Sequence, residues 1–362
     1  MPEPLMRACL RFAVVVSTCA LAAACGEGGT RASAALADSA SADTTGPVYG
    51  ATGADNIRVV PVEIEVIGLP DGWEGMRIAA LSDFHLGMWG DNTATALAAV
   101  QRAIAEKPDV FVLLGDYVAR GQDYAALDRV LAPLKGKPVY AVLGNEDMVE
   151  DPDEPDSTLI RTRQAMQRAG VVLLENRRAP FVRNNDTAYI GGIDPYTARK
   201  PDWRRAEIYG GIPGGPRTPL LLAHMPVAAV TLPTDKYAAV LSGHTFCGQV
   251  EVPGTPRLTW LNTEVLPGTP SPGSTRIYRV RGSTLFVTCG IGFGYVPVRY
   301  GSPPEIAMIT LRGVGTAAPA DSTRAPGTVN VDSLIQSFTP EEADSAETDA
   351  AAGADSAAAG EG

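Results

Sequence analysis

The chain has 362 residues, 45% of them hydrophobic, and a formal charge of −11 at pH 7. That is enough apolar material for one large domain or two ordinary ones. The acidity sits at the ends: residues 314–362 carry nine acids against one base and residues 25–55 four against one, whereas residues 56–313 net −1, so the body has no electrostatic footprint for nucleic acid.

At the N-terminus, Arg7 and Arg11 precede or open an apolar run, Phe12–Ala24. Its 13 residues are too few to cross a bilayer comfortably but suit the apolar region of an export signal. The run ends LAAAC, which is similar to a bacterial lipoprotein signal with Cys25 as the lipidated first residue of the mature chain. Ala22 stands where such signals most often have leucine. Cleavage after the A-x-A site Ala22–Ala24, giving a soluble exported protein, is the alternative, and on both routes the mature chain is expected to work outside the cytoplasm; the lipidated route puts it in the cell envelope. Residues 1–24 are thus predicted to be a signal peptide. Residues 25–55, built of Gly, Ala, Ser, Thr and Asp, read as a flexible tether with little to bury.

From Asn56 the signals alternate. MRIAALSDFH is a buried-strand run with a polar end, and NTATALAAVQRAIAE has helical spacing with Asn92 as its expected N-cap. VFVLLGDY reads as a strand, YAALDRVLAPL as a helix and PVYAVLGNED as a third strand. Asp156 is expected to cap a helix running to Gln167. The short apolar runs VVLLEN, TAYIGGID, PLLLAHMP and YAAVLSGHTF follow. After the PGTPSPGST loop, RIYRV and TLFVTCG predict a hairpin around Arg281 and Gly282, and EIAMITL predicts a last strand. There is no internal repeat. Alternating strands and helices followed by consecutive strands point to mixed sheets with helices outside. The segment 314–362 is expected to be an acidic disordered tail, VDSLIQSF being its one stretch with a helical alternative.

Polar residues gather at the ends of these apolar runs: Asp83 and His85, Asp116, Asn145 with Glu146 and Asp147, His224, and His244. Ligands of open α/β sheets bind beyond the carboxyl ends of strands. Oxygen and imidazole donors without thiolate suit Mn, Fe, Zn or Mg. On a regular strand, Asp83 and His85 would point to the same side, and Asp116 at the next tip could bridge two cations. The chain has three histidines, and all three fall in this set. A histidine after a strand is commonly a hydrogen-bonded loop residue, but that reading does not account for all three together.

The pieces DFH (83–85), GD (115–116), GNED (144–147), His224 in LLAHMP and GHTF (243–246) resemble, in order, the pattern of the calcineurin-like metallophosphoesterases. The LG after DFH, GGID at 191–194, the GQ after GHTF and the late GIG, PVRY and PEI pieces are similar to its membrane-associated phosphodiesterase branch. The resemblance covers about residues 56–313. It implies an α/β fold, a four-layer α/β/β/α sandwich with two mixed sheets, and two metals at the sheet edge. One would be held by Asp83, His85 and Asp116, the other by Asp116, Asn145, His224 and His244. The implied reaction is phosphoester hydrolysis by a water whose pKa two cations lower.

Two positions depart from that pattern. Phe246 stands where the family has the second histidine of G-H-x-H, and Glu146 where it has the histidine of G-N-H-D. Three readings follow. Glu146 compensates as a ligand or as a protonated acid, since a bare carboxylate would repel a phosphate. Or the second site alone remains, with one metal instead of two and slow turnover. Or the site is vestigial and the domain is a binding or interaction protein. Asp147 is expected behind the ligands as a supporting residue. The substrate expected is a small phosphoester or a lipid-linked one. Cys9 and Cys19 fall in the signal, leaving Cys247 and Cys289 as either a disulfide or two buried thiols. Trp89 and Met88 have two readings, the pocket mouth or a packed loop. Asp194 is read as a turn residue or a support to the metals, and Arg299 as a phosphate contact or an ion-pair partner.

Overall fold

Strand β2 shows how this sequence builds sheet. In RVVPVEIEVI the buried Val62, Ile64 and Val66 alternate with the exposed Glu63 and Glu65, the period-two pattern of a strand with one face on a core. The computed structural model describes residues 48–49, 53–119, 122–149, 157–195, 218–231, 237–250, 277–280, 282–294, 296–315 and 329–330, all within the unit Thr44–Gly362. The strands are β1 (Val48–Tyr49), β2 (Arg58–Ile67), β3 (Arg77–Leu81), β4 (Val110–Leu113), β5 (Val139–Ala141), β6 (Val172–Leu173), β7 (Arg177–Arg183), β8 (Asp186–Ile193), β9 (Thr218–Ala223), β10 (Tyr237–Ser242), β11 (Ile277–Val280), β12 (Ser283–Val287), β13 (Val298–Arg299), β14 (Glu305–Val314) and β15 (Val329–Asn330). The helices are α1 (Gly90–Ala105), α2 (Tyr124–Leu131), α3 (Ser157–Ala169) and the single turn α4 (Ala228–Thr231).

Two mixed sheets result. One has the order β2-β14-β3-β4-β5-β6, the other β15-β11-β12-β10-β9-β8-β7. In the first, β3 to β6 run parallel, and β14 lies parallel to β2 and antiparallel to β3. Adjacent residues of one strand serve different layers. Leu113 joins Val100, Leu127 and Met166 in the layer between helices α1 to α3 and the first sheet. Its neighbour Val112 points the other way, into the apolar layer between the sheets with Leu220, Leu222, Leu241 and Phe286. On β9, Leu221 and Ala223 face outward from the second sheet and pack with Ala228 and Ala229 of α4. Each large side chain fully buried in these layers contributes about 1.5–3 kcal/mol. The two mixed sheets and the helix layer on the first match the expected architecture; among the described residues, α4 alone represents the outer helical layer.

Several local expectations need correction. Asn92 does not cap α1: the helix starts at Gly90 with Trp89 before it. Asn92 donates instead to the carbonyls of His85 (2.8 Å) and Phe293 (3.0 Å) and accepts from Phe293 N–H (2.8 Å). A buried amide that can satisfy three backbone groups between two loops does more there than at a helix end. Asp123 is an unforeseen cap, accepting from Ala126 N–H at 2.8 Å at the start of α2. Strands β2 and β7 were not anticipated, and β14 is not the last strand, because β15 pairs with β11 inside the segment read as tail. The hairpin of β11 and β12 is present. The signal 1–24, most of the tether, Asp156, the PGTPSPGST loop and VDSLIQSF lie outside the described residues. No helix among those described is long and apolar enough to cross a membrane.

Candidate metal centre

The strands stop before the residues that matter. β3 ends at Leu81, β4 at Leu113, β9 at Ala223 and β10 at Ser242. Beyond them, Asp83 (φ 57°), His85 (φ 48°), Asp116 (φ 55°) and His244 (φ 71°) adopt the left-handed backbone conformation. The expectation that Asp83 and His85 share a side because they lie on a regular strand is therefore overturned. What aligns them is a zipper between two loops: Asp83 N–H donates to Gly115 O (3.0 Å), His85 N–H to Asp116 O (3.1 Å) and Leu86 N–H to Tyr117 O (3.0 Å). Left-handed non-glycine residues cost on the order of 1–3 kcal/mol each and concentrate at functional sites.

This backbone converges six side chains. Asp83, His85 and Asp116 form one group of potential cation ligands, and Asp116, His224 and His244 a second; within each the ligand atoms lie within 4.8 Å of one another. Asp116 belongs to both. Its Oδ2 lies 3.3 Å from His85 Nε2 and 3.1 Å from His224 Nε2. His224 Nδ1 is 2.7 Å from Leu114 O. Because a carbonyl only accepts, Nδ1 carries a proton, which turns Nε2 toward Asp116 and, at 3.2 Å, toward His244 Nδ1. Asn145 stands beside Glu146, whose N–H donates to Asp116 Oδ1 at 2.9 Å. His244 N–H donates to Asp83 Oδ2 at 3.2 Å, tying the two groups together.

The electrostatics favour a cation. Burial pushes the Asp116 carboxyl up, but His224 and His85 outweigh it and hold it well below the usual carboxylate range. Burial raises the Asp83 carboxyl. Burial opposes charge on His224, yet Asp116 raises it to about 9. The negative potential that draws protons onto the imidazoles would equally draw a metal ion.

Asp147 organises the centre without facing it. Its Oδ2 accepts from the N–H groups of Asp116 and Gly144, each at 2.8 Å, and its Oδ1 from those of Tyr117 (2.9 Å) and Val118 (3.3 Å). Burial and the charge of Asp116 raise this carboxyl to about 7, against the pull of those N–H donors. Gly144 makes the approach possible, since a Cβ there would collide with the carboxylate and backbone nitrogen of Asp116. Ser82 also supports the floor, donating to Leu114 O at 3.3 Å. The supporting place of Asp147 behind the ligands is the expected one; the roles of Gly144 and Ser82 come from contacts between loops about thirty residues apart.

The two departures now have surroundings. Phe246 is buried, and its ring lies 5.0 Å from that of His85 at 60°. The guanidinium of Arg299 sits 5.3 Å from the same ring. Arg299 is fully buried, and its N–H groups go to the carbonyls of Gly292 (2.8 and 2.6 Å), Cys289 (3.0 Å) and Ser302 (3.1 Å). Arg299 is a staple between loops through these backbone carbonyls, with the charges of Asp83 and Glu305 acting on it. Glu146 is half-buried in the turn Glu146–Met148, its Oε1 3.5 Å from Asn145 Nδ2. Cys247 and Cys289 form a disulfide, so Cys247 is no substitute ligand. The turn Phe246–Gly248 that carries it is not strand-like. Closing a loop across 42 residues stabilises by roughly 4 kcal/mol in the chain-entropy view.

Asp194 pairs with Asn176, accepting from its amide and donating its N–H to Asn176 Oδ1 at 3.1 Å; it fixes the turn before β7. Trp89 is half-buried and donates from Nε1 to Gly294 O at 2.6 Å, while also lining an open cleft. The bond to Gly294 O fits the packed-loop reading.

The residues fit a metal centre on one further observation. Asp83 Oδ1, Asn145 Oδ1 and His85 Nδ1 are buried without a hydrogen-bond partner, and His85 Nε2 has the Asp116 carboxylate at 3.3 Å. Buried polar atoms of this kind are costly unless something absent from the polypeptide satisfies them.

Known proteins share this pattern. The family model described as calcineurin-like phosphoesterase matches residues 76–248, a span that contains every candidate ligand. The chain is 30% identical over 276 residues to an uncharacterized metallophosphoesterase of Aquifex aeolicus, covering 72% of this chain and 93% of that protein. It is 31% identical over 287 residues to a transmembrane protein with metallophosphoesterase domain from Danio rerio, covering 73% of this chain; the chain spans 60% of that relative's length. It is 28% identical over 243 residues to the phosphodiesterase YaeI of Escherichia coli, covering 65% and 82% of the two chains.

Proposed function

This chain belongs to the calcineurin-like phosphoesterases, and from that premise we propose that it hydrolyses phosphodiesters at the shared-aspartate centre. The observation that carries the proposal is the set of buried atoms without a hydrogen bond, Asp83 Oδ1, Asn145 Oδ1 and His85 Nδ1, around Asp116. Asp83, His85 and Asp116 would hold one divalent cation and Asp116, Asn145, His224 and His244 another, with Mn, Fe, Zn or Mg suited to these donors. Cations bound there supply Lewis acidity and a lowered pKa for the attacking water.

The chain's own residues do the positioning. Asp147 fixes the loop of Asp116 through backbone N–H groups. Leu114 O fixes the His224 tautomer. Glu146, half-buried beside Asn145, lies close enough to act electrostatically on His85. The proposed setting is the cell envelope, with the chain anchored through a lipidated Cys25; the Cys247–Cys289 disulfide supports an oxidising compartment. The preference for diesters rests on the resemblance to YaeI, named a phosphodiesterase. A second reading, a metal-binding protein without turnover, draws on one observation: an apolar ring, Phe246, packs against His85.

Manganese-dependent hydrolysis of bis-p-nitrophenyl phosphate, measured beside Asp116→Ala, separates the two. Turnover lost in the variant supports the hydrolase. A folded protein that binds manganese but releases no more nitrophenol than the variant supports the second reading.

A further inference from the structure

Trp89 lines an open cleft of about 680 Å³, together with Gly87, Thr93, Gln122, Asp123 and Arg129, a volume within the usual range for small-molecule sites. Both walls continue the ligand loops. Gly87 follows His85 by two residues, and Gln122 lies between the Asp116 loop and α2. Leu86 and Val118 pair as a bridge between those two loops, so the loops that carry the first ligand group run on into the cleft walls, while none of the lining residues is itself a ligand.

The lining has a specific chemistry. The indole of Trp89 is tied down by its bond to Gly294 O, so its own donor is used and its ring is fixed. Asn92, one turn further, clamps the same wall to Phe293. At Gly90 a Cβ would meet no atom within 4 Å, which marks the space there as open. Arg129 is exposed on α2, and among the described residues it has no carboxylate partner. Asp123, the acid in this cleft, already accepts from Ala126 N–H. Thr93 and Gln122 add hydrogen-bonding groups. A fixed aromatic plane, polar groups at its edge and one available cation complement a flat heteroaromatic ring that carries an anionic group. A lipid chain would need an apolar trough, and glycerol phosphate offers nothing to stack.

We propose that this cleft binds the nucleobase of a nucleotide-type phosphodiester, the ring stacking on Trp89 and a phosphate oxygen meeting Arg129. The proposal rests on the hydrolase reading for its substrate, but its test does not require turnover. Calorimetric binding of AMP and of ribose 5-phosphate to the full chain isolates the base. Stacking on an aromatic side chain predicts AMP tighter by at least about fivefold. Trp89→Leu should erase that difference, Trp89→Phe should keep most of it, and Arg129→Gln should weaken both ligands alike. Equal affinities in the native protein, or a preference that survives Trp89→Leu, would overturn the proposal. Bis-p-nitrophenyl phosphate turnover without an AMP preference removes the cleft and leaves the hydrolase; an AMP preference without turnover does the reverse.

Discussion

The two halves of the centre share Asp116 and differ in almost everything around it. The second half is polar on all described sides: His224, His244 and Asn145, with the His224 tautomer locked by Leu114 O. The first half offers Asp83 and His85, and its remaining flank is the ring of Phe246 backed by the Arg299 guanidinium. Yet the left-handed backbone is concentrated in that first half: Asp83 and His85 both adopt it, whereas His244 alone does so among the residues belonging only to the second half. Cradle and donor set are thus separable. The fold maintains the geometry of the first half although one expected nitrogen is a phenyl ring, so the halves should differ in cation affinity.

The largest effect should come from removing what they share. Asp116→Ala takes a ligand from each half; outer-shell partners alone are worth about 10–100-fold, so the loss of rate and of bound cation should be at least about 100-fold. Metal analysis of the purified variant checks it, and retention of both cations would show that the halves do not meet at this residue. Next, Phe246→His restores a nitrogen beside His85. The first cation should bind about tenfold more tightly, with a parallel rise in rate, and unchanged stoichiometry and rate would remove Phe246 from the explanation of the asymmetry. Smallest is Glu146→Gln. One half-exposed charge at the edge of the first half is worth about 1 kcal/mol at contact distance in a watery setting, or about fivefold in affinity of the first cation alone. An equal loss from both halves would mean that Glu146 supports Asp116 and not the first half.

Much of this was legible before any coordinates. Apolar runs such as VFVLL and PLLLA can only be buried strands when both faces are covered, and their polar ends named Asp116 and His224. The ligand geometry was not legible. Period-two reasoning put Asp83 and His85 on one side for the wrong reason, because nothing in DFH announces two left-handed residues; the zipper to Gly115 and Asp116 creates them. The choice between disulfide and free thiols depends on a distance between residues 42 apart. Asn92 looked like a cap because its neighbours are helical, whereas its partners His85 and Phe293 lie in different loops. Long-range satisfaction of backbone groups is the information that a linear pattern lacks.

Asp147 carries a consequence for how the centre comes apart. The amides of Asp116, Tyr117, Val118 and Gly144, from two separate loops, end on one carboxylate. The three amides of the Asp116 loop lose their common acceptor together if that loop lifts off, whereas Gly144 keeps its bond within Asp147's own turn. In hydrogen–deuterium exchange the amides of Asp116, Tyr117 and Val118 should therefore open together, as one cooperative unit with a single free energy.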